Sequence, residues 1–139
     1  ILHLPSYWKE EAQVEEQAEG LLDVCGLKQY AKATAKNLPY GQQRKLEIAR
    51  ALAANPKVLL LDEPAAGMNP TETHELLETI RTIREQFGVA VLLIEHDMSF
   101  VMGLCEHIVV LDYGKVIAEG LPEEIRTNPR VIAAYLGGE

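Results

Sequence analysis

Several functional classes are closed to this chain by what it lacks. It has only two cysteines, Cys25 and Cys105, in no metal-ligand spacing. They read as free buried thiols of a reducing compartment, with a pairing of the two left open by sequence alone. Basic charge is scarce: 13 Lys and Arg stand against 21 Asp and Glu, a net charge of −8. Direct binding to DNA or to anionic lipid needs a basic face, and this balance argues against it. No apolar run approaches the length of a membrane span. No signal peptide, internal repeat or low-complexity segment is visible in the sequence. An initiator methionine is also lacking; the chain opens at Ile1 in mid-pattern, as a piece of a longer polypeptide would. With 139 residues, 47% hydrophobic and 24% charged, the composition is that of one soluble domain with a real core.

The richest stretch is Val58–Pro64, VLLLDEP. Four apolar residues run into Asp62 and Glu63, and Pro64 stops the run. A continuous apolar run predicts a parallel strand buried on both faces. Carboxylates at the end of such a strand stand where open α/β sheets hold ligands. Asp62 is a hard oxygen ligand suited to Mg²⁺. Glu63 is placed to position or deprotonate a water.

Around that strand the pattern predicts alternating elements. Residues 9–24 read as a helix with Val14, Ala18, Leu21, Leu22 and Val24 apolar, stopped near Gly26. The glutamates at 10–19 read as its solvated face. A second helix is expected from about Gly41 to Ala54, burying Leu46, Ala49, Leu52 and Ala53, with Asn55-Pro56 ending it. Thr71 is the expected cap of a third helix that carries the stripe Leu76, Leu77, Ile80, Ile83 and Phe87 to about Gly88. Val89–Ile94 reads as another buried strand, ending at Glu95-His96-Asp97. A short helix over Ser99–Leu104 follows. Strands at Ile108–Leu111 and Val116–Ala118 flank a hairpin turn at Asp112-Tyr113-Gly114. Pro122 and Pro129 open two final helices.

Four pieces then fall in order: LPYGQ at 38–42, VLLLDEP at 58–64, AAGMNP at 65–70 and IEH at 94–96. Together they resemble the signature motif, Walker B strand, D-loop and switch histidine of an ABC transporter nucleotide-binding domain, in its C-terminal part. The tail IAEGLPEEIRTNPRVIAAYLG at 117–137, and QQRKLEIARAL after a Tyr-Gly signature, are similar to ATPases that serve branched-chain amino acid import. The implied fold class is α/β. It is a partial P-loop NTPase domain with a helical subdomain, parallel core strands, and a C-terminal β-hairpin plus helices. Residues 1–54 would be the helical subdomain and signature helix, and 55–139 the C-terminal part of the ATPase core.

The resemblance implies roles residue by residue, with ATP and Mg²⁺ as cofactors. Asp62 would hold Mg²⁺ against the β- and γ-phosphates. Glu63 would polarise the attacking water, and His96 would contact the γ-phosphate or that water. These groups position and stabilise charge, which is what phosphoryl transfer requires. Leu38, Pro39, Tyr40, Gly41 and Gln42 would form the signature loop at a helix N-terminus, facing ATP held by a second ABC ATPase subunit. Gly41 would allow close approach to phosphate, and Gln42 would touch the ribose or stabilise the loop. Gly67 and Asn69 would act from the D-loop across a head-to-tail dimer. Transmembrane permease subunits are the other implied partners, and the location is the cytoplasmic face of a bacterial-type membrane. Residues 1–37 would lean on the permease. Pro5–Trp8 reads equally as a contact segment or as an aromatic packed within the domain. Arg44, Lys45 and Arg50 read as ordinary helix charges, and His3, His74 and His107 receive no role.

Three departures qualify the resemblance. No GxxxxGK[ST] phosphate loop occurs in the 139 residues, so the chain by itself is expected not to hydrolyse ATP and to bind it weakly at best. Pro39 stands where a serine is usual and offers neither a hydroxyl nor an N–H, which weakens the contact across the dimer. Ala66, Gly67 and Asn69 replace the commoner Ser, Ala and Asp of the D-loop. Two rival readings remain: a non-catalytic interaction fragment, or the ATPase of another ABC system such as lipopolysaccharide export.

Overall fold

The computed structural model describes residues 5–136, with side chains described over 10–135. The side chains of Pro5–Trp8, and His3, lie outside that description. The chain forms two compact units that divide between Ile94 and Glu95.

The first unit opens with helix α1, Pro5–Val24, and two short 3-10 turns at Lys28–Tyr30 and Ala35–Asn37. Helix α2 spans Tyr40–Leu52, strand β1 Val58–Asp62, helix α3 Pro70–Phe87 and strand β2 Ala90–Ile94. The three helices touch one another pairwise. β1 and β2 pair in parallel from Val58↔Ala90 to Asp62↔Ile94, giving the expected strand–helix–strand unit. Leu27, Ile48, Leu52, Leu59, Ile80 and Ile83 are among its buried side chains. α1 is exposed from Glu10 to Gly20, Val14 included, and turns inward only from Leu21. The expected apolar stripe of that helix is therefore solvated at Val14 and Ala18 and half-buried at Leu21, Leu22 and Val24, while its glutamate face is exposed.

The sheet corrects the expectation of strands buried on both faces. Leu59 is 3% exposed and its neighbour Leu60 is 69% exposed. Side chains alternate along a strand, so Leu59 and Leu61 enter the core while Val58, Leu60 and Asp62 stand on the other face. Leu92 and Ile94 of β2 share that open face. Two helix details also differ. The cap of α3 is Asn69, not Thr71: its Oδ1 accepts from the backbone N–H of Thr71 and Glu72, both at 3.0 Å, and Glu72 Oε2 returns to Asn69 N–H at 3.0 Å. This reciprocal arrangement is a capping box, and Pro70 fits its first turn. In α2 the buried stripe is Gly41, Lys45, Ile48, Ala49 and Leu52, while Ala53 is exposed. Lys45 is 7% exposed and pairs with Glu75 of α3 at 3.1 Å. It is no ordinary surface charge.

The second unit contains helix α4 (Met98–Leu104), the antiparallel hairpin of β3 (Ile108–Asp112) and β4 (Lys115–Gly120), helix α5 (Pro122–Arg126), and α6 (Pro129–Val131), which continues as a π-helical turn over Ile132–Leu136. Tyr113 and Gly114 both adopt positive φ, 44° and 76°, which matches the twist of a tight hairpin. Phe100, Leu104, Ile108, Val110, Ile125 and Val131 are buried. Tyr135 Oη donates to Leu111 O at 2.7 Å and ties the C-terminal turn to the hairpin.

Neither cysteine is in a disulfide; Cys25 is buried and Cys105 only half-buried. Burial pushes the Cys25 thiol up to about 11, against the opposing pull of the Lys45 charge. At pH 8 the Cys25 thiolate is then on the order of one part in a thousand. Iodoacetamide at pH 8 is expected to label Cys105 and spare Cys25 until the chain is unfolded, as peptide mass mapping will show. Equal labelling of both in the folded chain contradicts this.

Candidate functional site

β1 delivers Asp62 to the sheet's C-terminal edge as its last residue, exposed and on the open face beside Ile94. Glu63 follows in the left-handed region, φ 43°. For a residue other than glycine this conformation costs roughly 1–2 kcal/mol and is found at tight turns and at functional sites. Two backbone hydrogen bonds hold Glu63 there: its N–H donates to Ile94 O at 2.8 Å, and its carbonyl accepts from Ala66 N–H at 3.1 Å. The exposed carboxylate thus leaves the strand in a direction that an extended continuation would not give.

The same turn begins the D-loop. Met68 N–H donates to Ala65 O at 3.1 Å, Gly67 sits at φ 77°, and Asn69 caps α3. Asn69 Oδ1 is therefore committed to the helix N-terminus.

The signature loop lies against this turn. Pro39 is the N-cap of α2, with no side-chain cap bond, as its chemistry dictates; its carbonyl accepts from Gln42 and Gln43 N–H, both at 3.0 Å. Leu38 is buried, and its carbonyl accepts from Gln43 Nε2 at 2.8 Å. Tyr40 is exposed, and its hydroxyl accepts from Arg44 Nε at 3.1 Å. Hydrogen bonds to Glu47 and then Tyr40 hold the Arg44 guanidinium above its usual range. Gly41 is buried; a β-carbon there would meet Glu72 Oε1 at 3.2 Å, so glycine permits the loop's approach to α3. Gln42 Oε1 is buried with no hydrogen-bond partner among the described residues. An unpaired buried carbonyl costs about 1–3 kcal/mol.

In the second unit His96 is 70% exposed, while the Glu95 side chain beside it is 2% exposed. Glu95 Oε2 accepts from His96 N–H at 3.1 Å and lies 3.9 Å from His96 Nδ1. The buried carboxylate anchors the backbone that presents the imidazole.

Within the first unit the structure thus joins Asp62, Glu63, Gly67 and Asn69 to Tyr40 and Gly41. Sequence reasoning missed Gln43, Lys45, Glu72, Glu75 and Glu95, the residues that hold the motif residues in place. Asn69-Pro70-Thr71-Glu72 was readable as a capping box, and Lys45 falls in step with Gly41, Ile48 and Leu52 on α2. Gln43 and Glu95 carry no such pattern. No group of three or more His, Cys, Asp or Glu that would cage a metal occurs among the described residues. One exposed carboxylate at a strand end fits Mg²⁺, which is usually held by one or two carboxylates together with phosphate oxygens. A shallow pocket at the end of α1, lined by residues such as Leu22, Lys28 and Lys32, contains none of these motif residues.

Residues 3–66 match the family described as ABC transporter, and residues 115–139 match that of the branched-chain amino acid ATP-binding cassette transporter. The ADP conformation of an ATP-binding cassette of an ABC transporter superposes with a TM-score of 0.81 at 31% identity, covering 91% of this chain and 51% of that one. A nucleotide-free ATP-binding cassette gives 0.79 at 32% identity, with 91% and 51% coverage. The fold, the ordered motifs and these likenesses define the class: the chain belongs to the ABC transporter ATP-binding domains.

Within that class it resembles the ATP-binding proteins of branched-chain amino acid transport. It is 49% identical over 137 residues to the high-affinity branched-chain amino acid transport ATP-binding protein BraF of Pseudomonas aeruginosa, and 47% identical to LivG of Escherichia coli. Each alignment covers 99% of this chain and 54% of the relative, so the chain spans about half the length of the curated relatives it matches.

Proposed function

We propose that this chain supplies the Walker B, D-loop, signature and switch portion of an ATPase subunit that drives branched-chain amino acid import. The observation that carries the reading is the strand-end pair Asp62-Glu63, with Glu63 fixed in a left-handed turn that opens into the D-loop packed on the signature loop. The relatives named for branched-chain amino acid transport support the cargo. A methionine import ATP-binding protein of Haemophilus influenzae, 38% identical over 120 residues, marks a different cargo on a related scaffold.

Asp62 would hold Mg²⁺, which would supply neutralisation of phosphate charge. Glu63 orients the attacking water and accepts its proton. His96, steadied through Glu95, hydrogen-bonds to the γ-phosphate or to that water. The exposed Pro39 and Tyr40 of the signature loop and the D-loop residues Gly67 and Asn69 face a second subunit in a head-to-tail dimer, and a transmembrane permease receives the movement. The subunit sits peripherally on the cytoplasmic face; no helix among the described residues is long and apolar enough to cross a membrane. The functional division falls at 54/55, between the helical subdomain with its signature helix and the ATPase core.

The absence of GxxxxGK[ST] from the chain favours a second reading, an interaction module without catalysis of its own. Calorimetry separates the two. The complete subunit is expected to bind MgATP with micromolar affinity and the 139-residue chain not to. No binding by the complete subunit overturns the ATPase reading, and micromolar affinity of the chain alone overturns the requirement for a phosphate loop.

A further inference from the structure

The signature loop and the D-loop are far apart in sequence, but two contacts fasten them within one unit. The ring of Tyr40 lies against Gly67: a β-carbon at Gly67 would stand 3.5 Å from Tyr40 Cε1. Glu72, which receives Asn69 N–H at the end of the D-loop, would meet a β-carbon at Gly41 at 3.2 Å. Tyr40 is held from its own helix by Arg44, whose Nε donates to the phenol oxygen at 3.1 Å and whose guanidinium lies 5.4 Å from the ring centre. At its other end the D-loop turn is hydrogen-bonded to the carbonyl of Glu63 through Ala66 N–H. Contacts therefore run without a gap from Tyr40 through Gly67 and the turn to Glu63.

We propose that Tyr40 is a positioning residue: it clamps the D-loop turn against the signature loop, so that nucleotide engaged at the signature loop is registered at Glu63 of the same subunit. The proposal rests on the ATPase reading above and adds to it a route within the subunit. A ring is suited to the task because it covers the glycine turn with a rigid apolar face and loses little rotamer freedom on doing so. Gly67 is suited because, at φ 77°, it holds the turn without strain and leaves the ring room to sit down. Packed contacts of this kind carry coupling when they bias a shared element, here the 65–69 turn.

The test uses the complete subunit with Tyr40→Ala and Tyr40→Phe, read by amide hydrogen exchange without nucleotide and by steady-state ATP hydrolysis. Tyr40 is exposed, so neither variant threatens the fold. In Tyr40→Ala, exchange at the Ala66 and Met68 amides is expected to rise about tenfold as the turn loosens. The kcat is expected to fall about tenfold with KM for ATP within about twofold, the pattern of a group that acts after binding. Tyr40→Phe should keep the amide protection, since the ring rather than the hydroxyl meets Gly67. Unchanged exchange in Tyr40→Ala overturns the clamp. Loosened amides with an unchanged kcat overturn its role in the reaction. Equal damage in Tyr40→Phe assigns the effect to the Arg44 bond and overturns it too. An unsubstituted subunit without ATPase activity sinks the ATPase reading instead, and the amide arm still reports whether the clamp exists.

Discussion

Glu63→Gln in the complete subunit is expected to lower kcat for ATP hydrolysis by about two to three orders of magnitude, with ATP affinity within about twofold. Glutamine keeps the length of the side chain and the left-handed backbone, with its bonds to Ile94 O and Ala66 N–H, but cannot take a proton from water. The binding contacts proposed for the signature loop and for Asp62 are untouched. Glu63→Gly separates chemistry from conformation. It removes the carboxylate, so activity falls as far. It also removes roughly 1–2 kcal/mol of left-handed strain, against the roughly 0.5–1 kcal/mol of extra freedom that glycine gains in the unfolded chain. Stability should therefore be unchanged or rise by up to about 1.5 kcal/mol in urea unfolding, while phosphate release is lost. A Glu63→Gln subunit with near-normal turnover removes Glu63 from the mechanism. A Glu63→Gly subunit that is markedly less stable removes the strain argument.

What could be read beforehand follows the physics of each signal. Element type was legible wherever the apolar period was strong: α3 announced itself through Leu76, Leu77, Ile80 and Ile83, and the hairpin through Asp112-Tyr113-Gly114. The chain order of the motifs disclosed the class, and the fold agrees with it. Strand burial was not legible, because an apolar run describes how a strand is covered when layers lie on both faces, and here alternation leaves Leu60, Leu92 and Ile94 open. Periodicity also missed the charged member of a buried stripe. Lys45 occupies a core position on α2, and only its partner Glu75, thirty residues on, makes that tenable. The contact of Tyr40 with Gly67 lay beyond any local rule, since it joins two loops that sequence treats separately. The left-handed Glu63 was hidden as well, for nothing in DEP states which residue bears the turn.

The open face of the sheet gives the second large expected effect. Val58, Leu60, Leu92 and Ile94 are all exposed, and Leu60 and Leu92 are register partners at the centre of the patch. Covering four such side chains is worth on the order of 5 kcal/mol, at about 1–2 kcal/mol each for side chains already half-covered by their neighbours. A contiguous apolar surface with that much to gain draws copies together. The 139-residue chain is expected to self-associate at micromolar concentration in analytical ultracentrifugation. The double substitution Leu60→Lys with Leu92→Lys should return it to monomer, with unfolding free energy changed by less than about 1 kcal/mol because both side chains already face solvent. Ile80→Ala, by contrast, empties a fully buried position on α3 and should cost about 2–5 kcal/mol in the same background. The decisive comparison is with the complete subunit. Where a further layer covers the face, the lysine pair places two charges in a packed interior and should cost several kcal/mol, reversing its benefit in the chain alone. A lysine pair that is harmless in both settings shows that the face stays open in the working protein. A chain that remains monomeric without it shows that the patch is too small to drive association.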